Sequence, residues 1–458
     1  MNHTPTPPNK YTSAFISITF LFFMWGFMTV LNDILIPYLK GAFELNYARA
    51  TLIQFAFFTA YFVGSLIYFI ISFVYGDPIN KIGYKKGIIM GLVISALGAI
   101  LFYPAAQFHQ YGFFLSALFV LGLGFTLLQI AANPYIAILG PEKSASSRLN
   151  LAQGFNSLGT TIGPVIGGYL IFSFFKDVQG SDAVKIPYLI FSAMFLLMAV
   201  YIFKTPLPRF TNSQDEKIGF GALKYRQLVF GMVAIFMYVG SEVSIGSMMI
   251  SYFGLPEIGG LTATEASRFV AFYWGGQMIG RFLGAVSLSD IKNKNQKYTY
   301  MLLIALTSFV IIGLLDGFDT ALIYGIFLLL NLFAFMLGSS MPHRTLFVFA
   351  LVNLILLIVT LTNTGAVAFW SVIGIGLFNS IMWSNIFSLA ITGLGEYTSQ
   401  GSSLLVMMIL GGAILPFIMG LVADAFGVHL SFIVPLFSYL YLAFYGVEGY
   451  KPKKLNIL

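Results

Sequence analysis

Two carboxylates lie deep inside long apolar segments of the chain, and they are the residues best placed to do chemistry. Asp33 and Glu242 are the two of the 17 Asp and Glu residues that fall well inside such segments. An ionised carboxylate is costly in a bilayer, so such a group normally faces the interior of a helix bundle and serves an ion or a proton. For Asp33, a static polar contact with a neighbouring helix is the alternative.

Amide side chains recur in pairs that share a helical face, because residues three or four apart are neighbours on a helix. Amides bind hydroxyl groups and aromatic rings stack on flat apolar faces, so together they favour a sugar-like ligand. Alternatively, the amides join neighbouring helices, as Asn and Gln do in membranes. The set is Gln129 with Asn133, Gln153 with Asn156, Gln277 one turn from Trp274, and Asn379 with Trp383.

The composition excludes most classes of soluble protein. Of the 458 residues, 58% are hydrophobic, 17% are aromatic and 9% are charged, whereas an ordinary soluble domain has about 25% charged residues. A soluble enzyme or a nucleic-acid-binding protein needs more polar surface than this. The chain has no Cys, which excludes disulfides and thiolate metal sites. No metal or other cofactor is expected.

Long apolar segments predict an all-α integral membrane protein. Each helix that crosses a bilayer needs about 20 apolar residues. Six such segments precede a polar stretch at residues 204–224 and eight follow it, which gives about fourteen membrane helices. The first segment is interpreted as a spanning helix and not as a signal peptide, because no small-residue cleavage site follows it. The predicted spans are Ser13–Leu39, Ala50–Tyr75, Lys86–Ala106, Gly112–Leu139, Leu149–Phe175, Pro187–Phe203, Gln227–Phe253, Ala266–Leu288, Tyr298–Leu315, Ala321–Gly338, Leu346–Leu361, Ala366–Ile391, Ser403–Ala423 and Leu430–Tyr445.

The positions of Lys and Arg predict how the chain is inserted. An even number of spans puts both ends on one side of the membrane. That side then carries nineteen of the 24 basic residues, and the other side carries Lys40, Arg49, Lys176, Lys185 and Arg268. Cytoplasmic loops show this excess of basic residues, so both termini are predicted to be cytoplasmic. The net charge of +7 therefore reports topology and not a nucleic-acid-binding surface.

A weak parallel repeat divides the chain into two halves. The basic loop Gly76–Lys86 follows the second span of the first half, and the loop Ser289–Lys297 follows the second span of the second half, roughly 210 residues later. The predicted domains are a six-helix bundle at residues 1–203, a cytoplasmic linker at 204–224 and a second bundle at 225–458. The second bundle has two helices more than the first, and the hairpin Ala321–Leu361 is the expected peripheral insertion.

Several motifs resemble known transporters. The pattern Gly-x3-Asn-Lys-x-Gly-x-Lys-Lys at Gly76–Lys86 resembles the loop signature of the major facilitator superfamily, whose two six-helix halves hold the substrate at the membrane midplane between them. Other motifs resemble the fucose:proton symporter family and, within it, the glucose/galactose branch. These motifs are LNDILIP (Leu31–Pro37), AANPYIAILGPE (Ala131–Glu142), RLNLAQGFNSLG (Arg148–Gly159), YTSQGSSLLVMMILGG (Tyr397–Gly412), LLQIAANPY (Leu127–Tyr135), YVGSEVSIGS (Tyr238–Ser247) and YWGGQMIGRF (Tyr273–Phe282).

The resemblance implies where protons are carried. It places the coupling carboxylate at Asp33. Gln129 stands where fucose symporters carry an acid, and Gln cannot titrate. A second protonation step must therefore use Glu242 or be absent. Glu242 is accordingly predicted to couple protons, and a sugar-hydroxyl acceptor or a neutral hydrogen-bonded acid are the alternatives.

The resemblance also implies sugar contacts at Gln153, Asn156 and Trp383, although fucose symporters carry Tyr at the last position. The sequence thus predicts a hexose importer of the glucose/galactose type, in the bacterial inner membrane, driven by proton symport through alternating access. Its predicted partners are a sugar, a proton and the lipid bilayer. The predicted sugar-binding residues are Gln129, Asn133, Gln153, Asn156, Gln277, Asn379 and Trp383.

Two alternatives stay open, namely a sodium-coupled sugar symporter and a proton-driven antiporter or exporter of a small molecule. Asp33 with nearby hydroxyl groups suits Na⁺ as well as a proton, and the glycine–proline run Gly159–Gly168 resembles runs in drug/proton antiporters. An enzyme is not expected, because two isolated acids do not form a catalytic cluster. A channel would need a repeated filter motif or a ring of like charges, and the sequence has neither.

Overall fold

The structure is a computed structural model that describes residues 11–44, 47–168, 184–210 and 219–453. The described residues form helices and short connections, with no β-strand among them. This confirms the predicted all-α class. The helices are α1 (Thr12–Ala42), α2 (Tyr47–Tyr75), α3 (Pro78–Ile82), α4 (Tyr84–Ile100), α5 (Phe102–Gln107), α6 (Tyr111–Ile138), α7 (Ala145–Gly168), α8 (Lys185–Lys204), α9 (Arg226–Phe253), α10 (Ala263–Ser287), α11 (Lys294–Asp316), α12 (Phe318–Gly338), α13 (Pro342–Thr362), α14 (Gly365–Asn379), α15 (Met382–Ala390), α16 (Thr398–Met407), α17 (Gly411–Phe426), α18 (Val428–Ser431) and α19 (Ile433–Phe444).

Among the described residues, twelve helical segments are long enough and apolar enough to cross a membrane. The chain is therefore a multi-pass membrane protein, but the predicted number of fourteen spans is not supported by this count. The predicted spans Leu149–Phe175 and Ala266–Leu288 overlap α7 and α10, helices of 24 and 25 residues that fall outside the twelve. Both helices carry many polar residues, which lowers their mean hydropathy.

The chain divides into two compact units. The first unit contains residues 1–140, 155–222 and 394–407, and the second contains residues 141–154, 223–393 and 408–458. Helix α16 therefore belongs to the first unit, although it lies late in the chain, and the start of α7 belongs to the second.

Helix α6 is central to the first unit, where it packs against α2 and α4. Small residues let the α4 and α6 backbones approach closely, as is common between membrane helices. A Cβ atom added to Gly124 of α6 would lie 2.5 Å from the backbone nitrogen of Ser95 in α4. Thr126 of α6 adds a hydrogen bond of 3.2 Å from its hydroxyl to the carbonyl of Ala60 in α2. These contacts set the position of the α6 residues that follow.

In the second unit, α9 packs against α17, α10 packs against α14, and α13 packs against both α14 and α19. The α10–α14 contact again depends on a glycine, because a Cβ atom on Gly376 would lie 2.2 Å from the carbonyl oxygen of Tyr273. Helix α10 begins with a capping box in which Thr262 and Glu265 exchange side chain-to-backbone hydrogen bonds.

Lys297 holds the hairpin of α11 and α12 to the end of α10. Its Nζ donates to the carbonyl oxygens of Ser287 and Ser289 at 3.0 and 2.9 Å and to the hydroxyl of Ser340 at 3.0 Å. The last carbonyls of a helix have no partner within the helix, so a cation is favourable there. This residue therefore fixes where the hairpin leaves α10 and where it ends.

The predicted peripheral insertion at Ala321–Leu361 is not supported. Its second helix corresponds to α13, which packs between α14 and α19 instead of at the periphery. Asn353 of α13 is fully buried and donates a 2.9 Å hydrogen bond to Asn379 of α14. The apolar pattern could not locate an insertion, because the neighbouring helices are all similarly hydrophobic.

The close α10–α14 approach predicts a stability difference between two glycine substitutions. Gly376→Ala should lower the free energy of unfolding by about 1–3 kcal/mol, because its Cβ meets backbone and not a flexible side chain. Gly275→Ala is the matched control, since a Cβ there has no heavy atom within 4 Å, and it should be neutral or stabilising by up to about 1 kcal/mol. The comparison is made by thermal unfolding in one detergent. Equal melting temperatures for the two variants would contradict the packing.

Candidate functional site

A buried polar cluster in the first unit joins α1, α2 and α6. Asn133 Nδ2 donates to Gln129 Oε1 at 3.4 Å, and both residues are buried. The hydroxyl of Tyr61 on α2 forms hydrogen bonds with the side chains of Gln129 and of Trp25 on α1. The two predicted amides therefore do meet, and they meet around a tyrosine that sequence reasoning missed. No pattern distinguishes Tyr61 among the 25 Tyr of the chain.

The two predicted amides of α7 fall in different units. Gln153 is buried in the second unit, and Asn156 is partly buried in the first. Asn156 Nδ2 donates a 2.9 Å hydrogen bond to the carbonyl oxygen of Phe22 in α1. The backbones of α1 and α7 also approach closely here, since a Cβ atom added to Gly26 would lie 2.1 Å from the backbone carbonyl oxygen of Asn156. One donor of Asn156 thus joins α7 to α1.

Asn379 is the centre of a buried hydrogen-bond network in the second unit. Its Oδ1 accepts from the hydroxyl of Tyr439 at 2.6 Å and from Asn353 Nδ2 at 2.9 Å. Its Nδ2 donates to the hydroxyl of Tyr273 at 2.9 Å. A carboxamide has two donors and two acceptor positions, so three of the four are used to join α10, α13, α14 and α19.

The same network reaches Glu242 on α9. The hydroxyl of Tyr273, which accepts from Asn379, donates to the backbone carbonyl of Glu242 at 3.0 Å. The Glu242 side chain accepts a 2.7 Å hydrogen bond from the hydroxyl of Tyr238, one turn earlier on the same helix. Glu242 is partly exposed, whereas Tyr238 and Tyr273 are fully buried. Its carboxylate therefore lies at the edge of this buried network.

Gln277 and Arg281 face Glu242 from α10. The Gln277 side chain and the Arg281 charge both act on the Glu242 carboxylate. The contacts that hold Arg281 in place include a hydrogen bond from Nη2 to Gln277 Oε1 at 3.3 Å and one from Nε to the Ser380 carbonyl at 3.3 Å. In the sequence analysis Arg281 is counted only among the nineteen basic residues of the cytoplasmic side. Arg281 lies four residues after Gln277, so the two share one face of a helix. This spacing was the signal in the sequence that Arg281 lies beside Gln277.

Several buried polar atoms in this region have no hydrogen-bond partner within the described residues. An unpaired buried polar group costs about 1–3 kcal/mol, so a hydroxyl-rich ligand that pairs with such atoms gains affinity. The Trp383 ring stacks with Phe387 at a centroid distance of 6.0 Å, which leaves its Nε1 as a fixed donor. The atoms are Ser241 Oγ, Ser244 Oγ, Gln277 Nε2, Ser380 Oγ, Trp383 Nε1 and Ser384 Oγ.

Asp33 lies on α1, but its side chain is outside the described part of the structure. Its role in coupling therefore stays a prediction. The described segments 11–44, 47–168, 184–210 and 219–453 contain no group of His, Cys, Asp and Glu residues that would hold a metal ion.

The basic loop Gly76–Lys86 contains a buried carboxylate, Asp77, which sequence reasoning did not single out. Asp77 begins α3, and its Oδ1 accepts from the backbone nitrogens of Ile79 and Asn80 at 2.9 and 3.2 Å. It also accepts a 2.6 Å hydrogen bond from the hydroxyl of Tyr68. The backbone of Gln400, near the start of α16, interacts with the same carboxyl group.

Burial dominates the electrostatics of Asp77, which is 2% exposed. Loss of water raises the pKa of the Asp77 carboxyl from its ordinary value of 3.8 to about 6, although the bonds from Tyr68 and from the backbone of Asn80, Ile79 and Gln400 act in the opposite direction. Asn80 strengthens the attachment of α16, because its Nδ2 donates to the carbonyl of Glu396 at 2.7 Å. The loop is thus a docking point for α16 within the first unit.

The long apolar helices and the isolated polar clusters inside them define a helical, multi-pass membrane protein. The chain belongs to the Major Facilitator Superfamily, whose family model matches residues 14–343. It is 44% identical to a glucose/galactose transporter of Brucella abortus biovar 1, over 98% of this chain and 97% of that protein. It is 35% identical to the L-fucose-proton symporter of Escherichia coli, over 91% of this chain and 88% of that protein.

Solved structures agree with this assignment. The crystal structure of the major facilitator transporter FucP in the outward conformation matches with a TM-score of 0.75 and 31% sequence identity, over 95% of this chain and 98% of that one. The resemblance to the superfamily, to the fucose symporters and to the glucose/galactose transporters is therefore confirmed.

The raised pKa of Asp77 predicts a pH dependence of stability. Between pH 3.8 and about 6 the folded chain holds the Asp77 proton more tightly than the unfolded chain does, so the free energy of unfolding falls as pH rises through this window. The loss is on the order of 3 kcal/mol. Asp77→Asn keeps an acceptor and removes the charge. This variant should therefore melt above the wild type at pH 7.5 and close to it at pH 4.

The control for this prediction is Asp319→Asn, which neutralises an exposed carboxylate at the start of α12 and should leave the pH dependence unchanged. A lower melting temperature of Asp77→Asn than of the wild type at pH 7.5 would show that the charged carboxylate stabilises the loop, contrary to this account.

Proposed function

We propose that this protein is a secondary active transporter that imports a hexose of the glucose/galactose type by proton symport through alternating access. The observation that carries the proposal is the 44% identity to a glucose/galactose transporter along nearly the whole chain. The similarity to an L-fucose-proton symporter supports the proton as the coupling ion. The polar clusters around Gln129 and Glu242 supply donors and acceptors that suit sugar hydroxyl groups.

We propose that the predicted residues divide into two roles at the sugar site. Gln277 Nε2 and Trp383 Nε1 are buried donors with no hydrogen-bond partner among the described residues, which suits direct contact with hydroxyl groups, and the Trp383 ring suits an apolar sugar face. Asn379 already uses three of its four hydrogen-bonding positions inside the protein, so it acts mainly by holding its neighbours in place. The other proposed sugar-binding residues are Gln129, Asn133, Gln153 and Asn156.

Asp33 is the proposed proton carrier. It is an acid within a long membrane helix, and such acids usually serve ions or protons. Gln129, the uncharged residue at the position where fucose symporters carry an acid, forms hydrogen bonds with Asn133 and Tyr61 and cannot take over this role.

The membrane arrangement is part of the same proposal. The protein lies in the bacterial inner membrane with both termini in the cytoplasm, as the excess of Lys and Arg on that side supports. Its halves are residues 1–203 and 225–458, and residues 204–224 link them in the cytoplasm.

We further propose that α11 and α12 are a helical hairpin added to a twelve-helix core, which makes fourteen membrane helices with α7 and α10. Within the first unit, α6 packs on α2 and α4, and α4 packs on α8. Within the second unit, α14 packs on α10 and α13, and α13 packs on α19. The contacts of α10, α14, α13 and α19 thus follow the same order as those of α2, α6, α4 and α8. In this comparison α13 is the counterpart of α4, and α11 and α12 have no counterpart in the first unit. Since α11 is largely unburied, it suits the lipid-facing edge.

The experiment that tests the function is uptake of labelled hexoses by membrane vesicles containing the protein. An inward proton gradient should drive accumulation of glucose or galactose, and an inward sodium gradient at equal pH should not. Accumulation of hexose that requires the sodium gradient and not the proton gradient would identify Na⁺ as the coupling ion. Saturable export of drugs without any hexose uptake would contradict the proposal.

Asp33→Asn should abolish uphill uptake while sugar exchange down its own gradient continues, because the variant cannot release a proton. The ratio of internal to external hexose should fall to about one, the value for equilibration without coupling. Asp319→Asn is the matched control and should concentrate sugar as the wild type does. Continued concentration of sugar by Asp33→Asn would show that another group carries the proton.

Deletion of the hairpin tests the helix assignment. Removing residues 293–340 and joining the ends through a short Gly-Ser linker should retain hexose uptake, because both ends of α11–α12 meet at Lys297 and Ser340. Stability should fall, since the hydrogen bonds of Tyr324 to the Phe272 carbonyl and of Asn331 to the Leu377 carbonyl are lost. Removing residues 318–362, which contain α12 and α13, is the control and should abolish uptake. Loss of uptake in both deletions would refute the added hairpin.

A further inference from the structure

Basic side chains collect at one end of the second unit, where three membrane segments begin or end. Arg226 is the first residue of α9, and Arg344 is near the start of α13. Lys451 and Lys453 closely follow the segment Val428–Gly449. Arg226 is partly exposed and the other three cations are exposed. These four residues form the terminal basic cluster. Cations at the ends of membrane segments lie at the depth of the lipid headgroups.

The end of the chain is fixed to the start of α9. Arg226 Nη1 and Lys451 Nζ pair with the two oxygens of one carboxylate, Glu448, at 3.1 and 2.5 Å. The backbone nitrogen of Arg226 donates to the carbonyl of Lys453 at 2.9 Å. The backbone nitrogen of Lys453 donates in turn to Gln227 Oε1 at 3.4 Å. Three of the four cations are therefore held beside one another.

The start of α13 packs against the same C-terminal turn and brings the fourth cation. The His343 ring stacks on the Tyr450 ring at a centroid distance of 4.3 Å. The backbones also approach closely, since a Cβ atom added to Gly446 would lie 3.0 Å from the carbonyl oxygen of His343. Because Arg344 follows His343 and Lys451 follows Tyr450, the stacked rings place these two cations near each other.

The terminal basic cluster has more positive charge than its acidic partner neutralises. Glu448 is shared between Arg226 and Lys451. Within the described part of the chain, the side chains of Arg344 and Lys453 have no acidic partner. Four cations around one carboxylate leave a net charge of +3. Like charges held together repel, so an anion that lies among them is favourable.

An exposed apolar face continues from the cluster along the last membrane helix. Phe437, Leu440 and Phe444 of α19 recur every three or four residues, so they share one face, and all three are exposed. The Arg226 guanidinium lies over the Phe230 ring at 5.1 Å, and the Phe230 ring contacts that of Phe444 at 5.6 Å. The cations and the apolar face are therefore neighbours on the surface of this unit.

The pairing of charge with an apolar face favours a phospholipid as the occupant. A soluble anion would use the cations alone, whereas a phospholipid places its phosphodiester among the cations and an acyl chain along the apolar face. A zwitterionic headgroup brings a cation of its own, which the net charge of the cluster disfavours. The complementary headgroup is thus one with net negative charge.

We propose that the terminal basic cluster binds the headgroup of an acidic phospholipid, with an acyl chain of this lipid along the exposed face of α19. The site lies on the side of the membrane proposed above to be cytoplasmic, and it does not depend on which substrate is carried. The bound lipid offsets the repulsion within the cluster and joins the C-terminal turn to the starts of α9 and α13. It therefore stabilises the second unit.

Native mass spectrometry of the full-length protein in a neutral detergent tests the site, with phosphatidylglycerol as the acidic probe and phosphatidylcholine as the neutral one. The wild type should bind its first phosphatidylglycerol more tightly than its first phosphatidylcholine. Arg344→Gln combined with Lys453→Gln should weaken the first phosphatidylglycerol about 25-fold, because each basic residue near a lipid surface contributes a factor of about five. Binding of phosphatidylcholine should not change.

The matched control is Lys292→Gln combined with Lys294→Gln, which removes the same charge from two exposed cations around the start of α11 in the same unit. The control should bind phosphatidylglycerol as the wild type does. Without added lipid, both double variants should melt within about one degree of the wild type, because exposed charges contribute little to stability.

Thermal unfolding separates a lipid from a free anion. Phosphatidylglycerol should raise the melting temperature of the wild type and of the control by several degrees, and this shift should be absent in the cluster variant. Phosphatidylcholine and inorganic phosphate should not produce it. Raising the salt concentration should reduce the shift, because part of the attraction is between exposed charges.

Three results would overturn the proposal. The first is equal affinity of the wild type for the two phospholipids. The second is an equal loss of phosphatidylglycerol binding in the control variant, which would mean that only the total charge matters. The third is a melting shift that inorganic phosphate reproduces, which would assign the cluster to a soluble anion. None of these measurements needs a transported substrate, so they stay decisive even if the protein carries no hexose.

Discussion

The hydrogen bonds of the Asn379 carboxamide are the interaction on which the second unit depends. A polar group inside a bilayer finds no water, so each donor and acceptor must find a partner in the protein. Asn379 pairs with groups from three other helices, through Asn353, Tyr273 and Tyr439. Tyr273 then continues the network to the backbone carbonyl of Glu242. The position of this carboxylate is therefore fixed by bonds that begin on a different helix.

In the first unit, too, a buried polar group must find its partners within the protein. Its buried loop carboxylate, Asp77, accepts hydrogen bonds from Tyr68 and from the backbone of α3, and it also interacts with the backbone of Gln400. Asn80 supplies one more bond to the chain just before α16. A loop that is short and basic in the sequence thus becomes the attachment of a helix that lies more than 300 residues later.

The sequence predicted the class, the membrane location and the family, because these depend on composition, on apolar length and on several dispersed motifs. It also predicted the pairing of Gln129 with Asn133, since a spacing of four residues places both on one face of α6. It could not show that Arg281 approaches Glu242, because 39 residues separate them and their proximity comes from the packing of α9 on α10. Asp77 was missed for a similar reason, because a carboxylate in a polar loop gives no sign of burial. The position of the proposed added hairpin depends on which helices pack together, and apolar patterns do not contain this information.

The central claim is that hexose and proton enter together, and simultaneous recording of both fluxes tests it most directly. Hexose is added to a weakly buffered suspension of vesicles that contain the protein, and the external pH is followed together with sugar uptake. The account predicts that glucose or galactose causes an alkalinisation of the medium that saturates with sugar concentration and is absent in vesicles without the protein. Saturable hexose uptake with no change in external pH would contradict it.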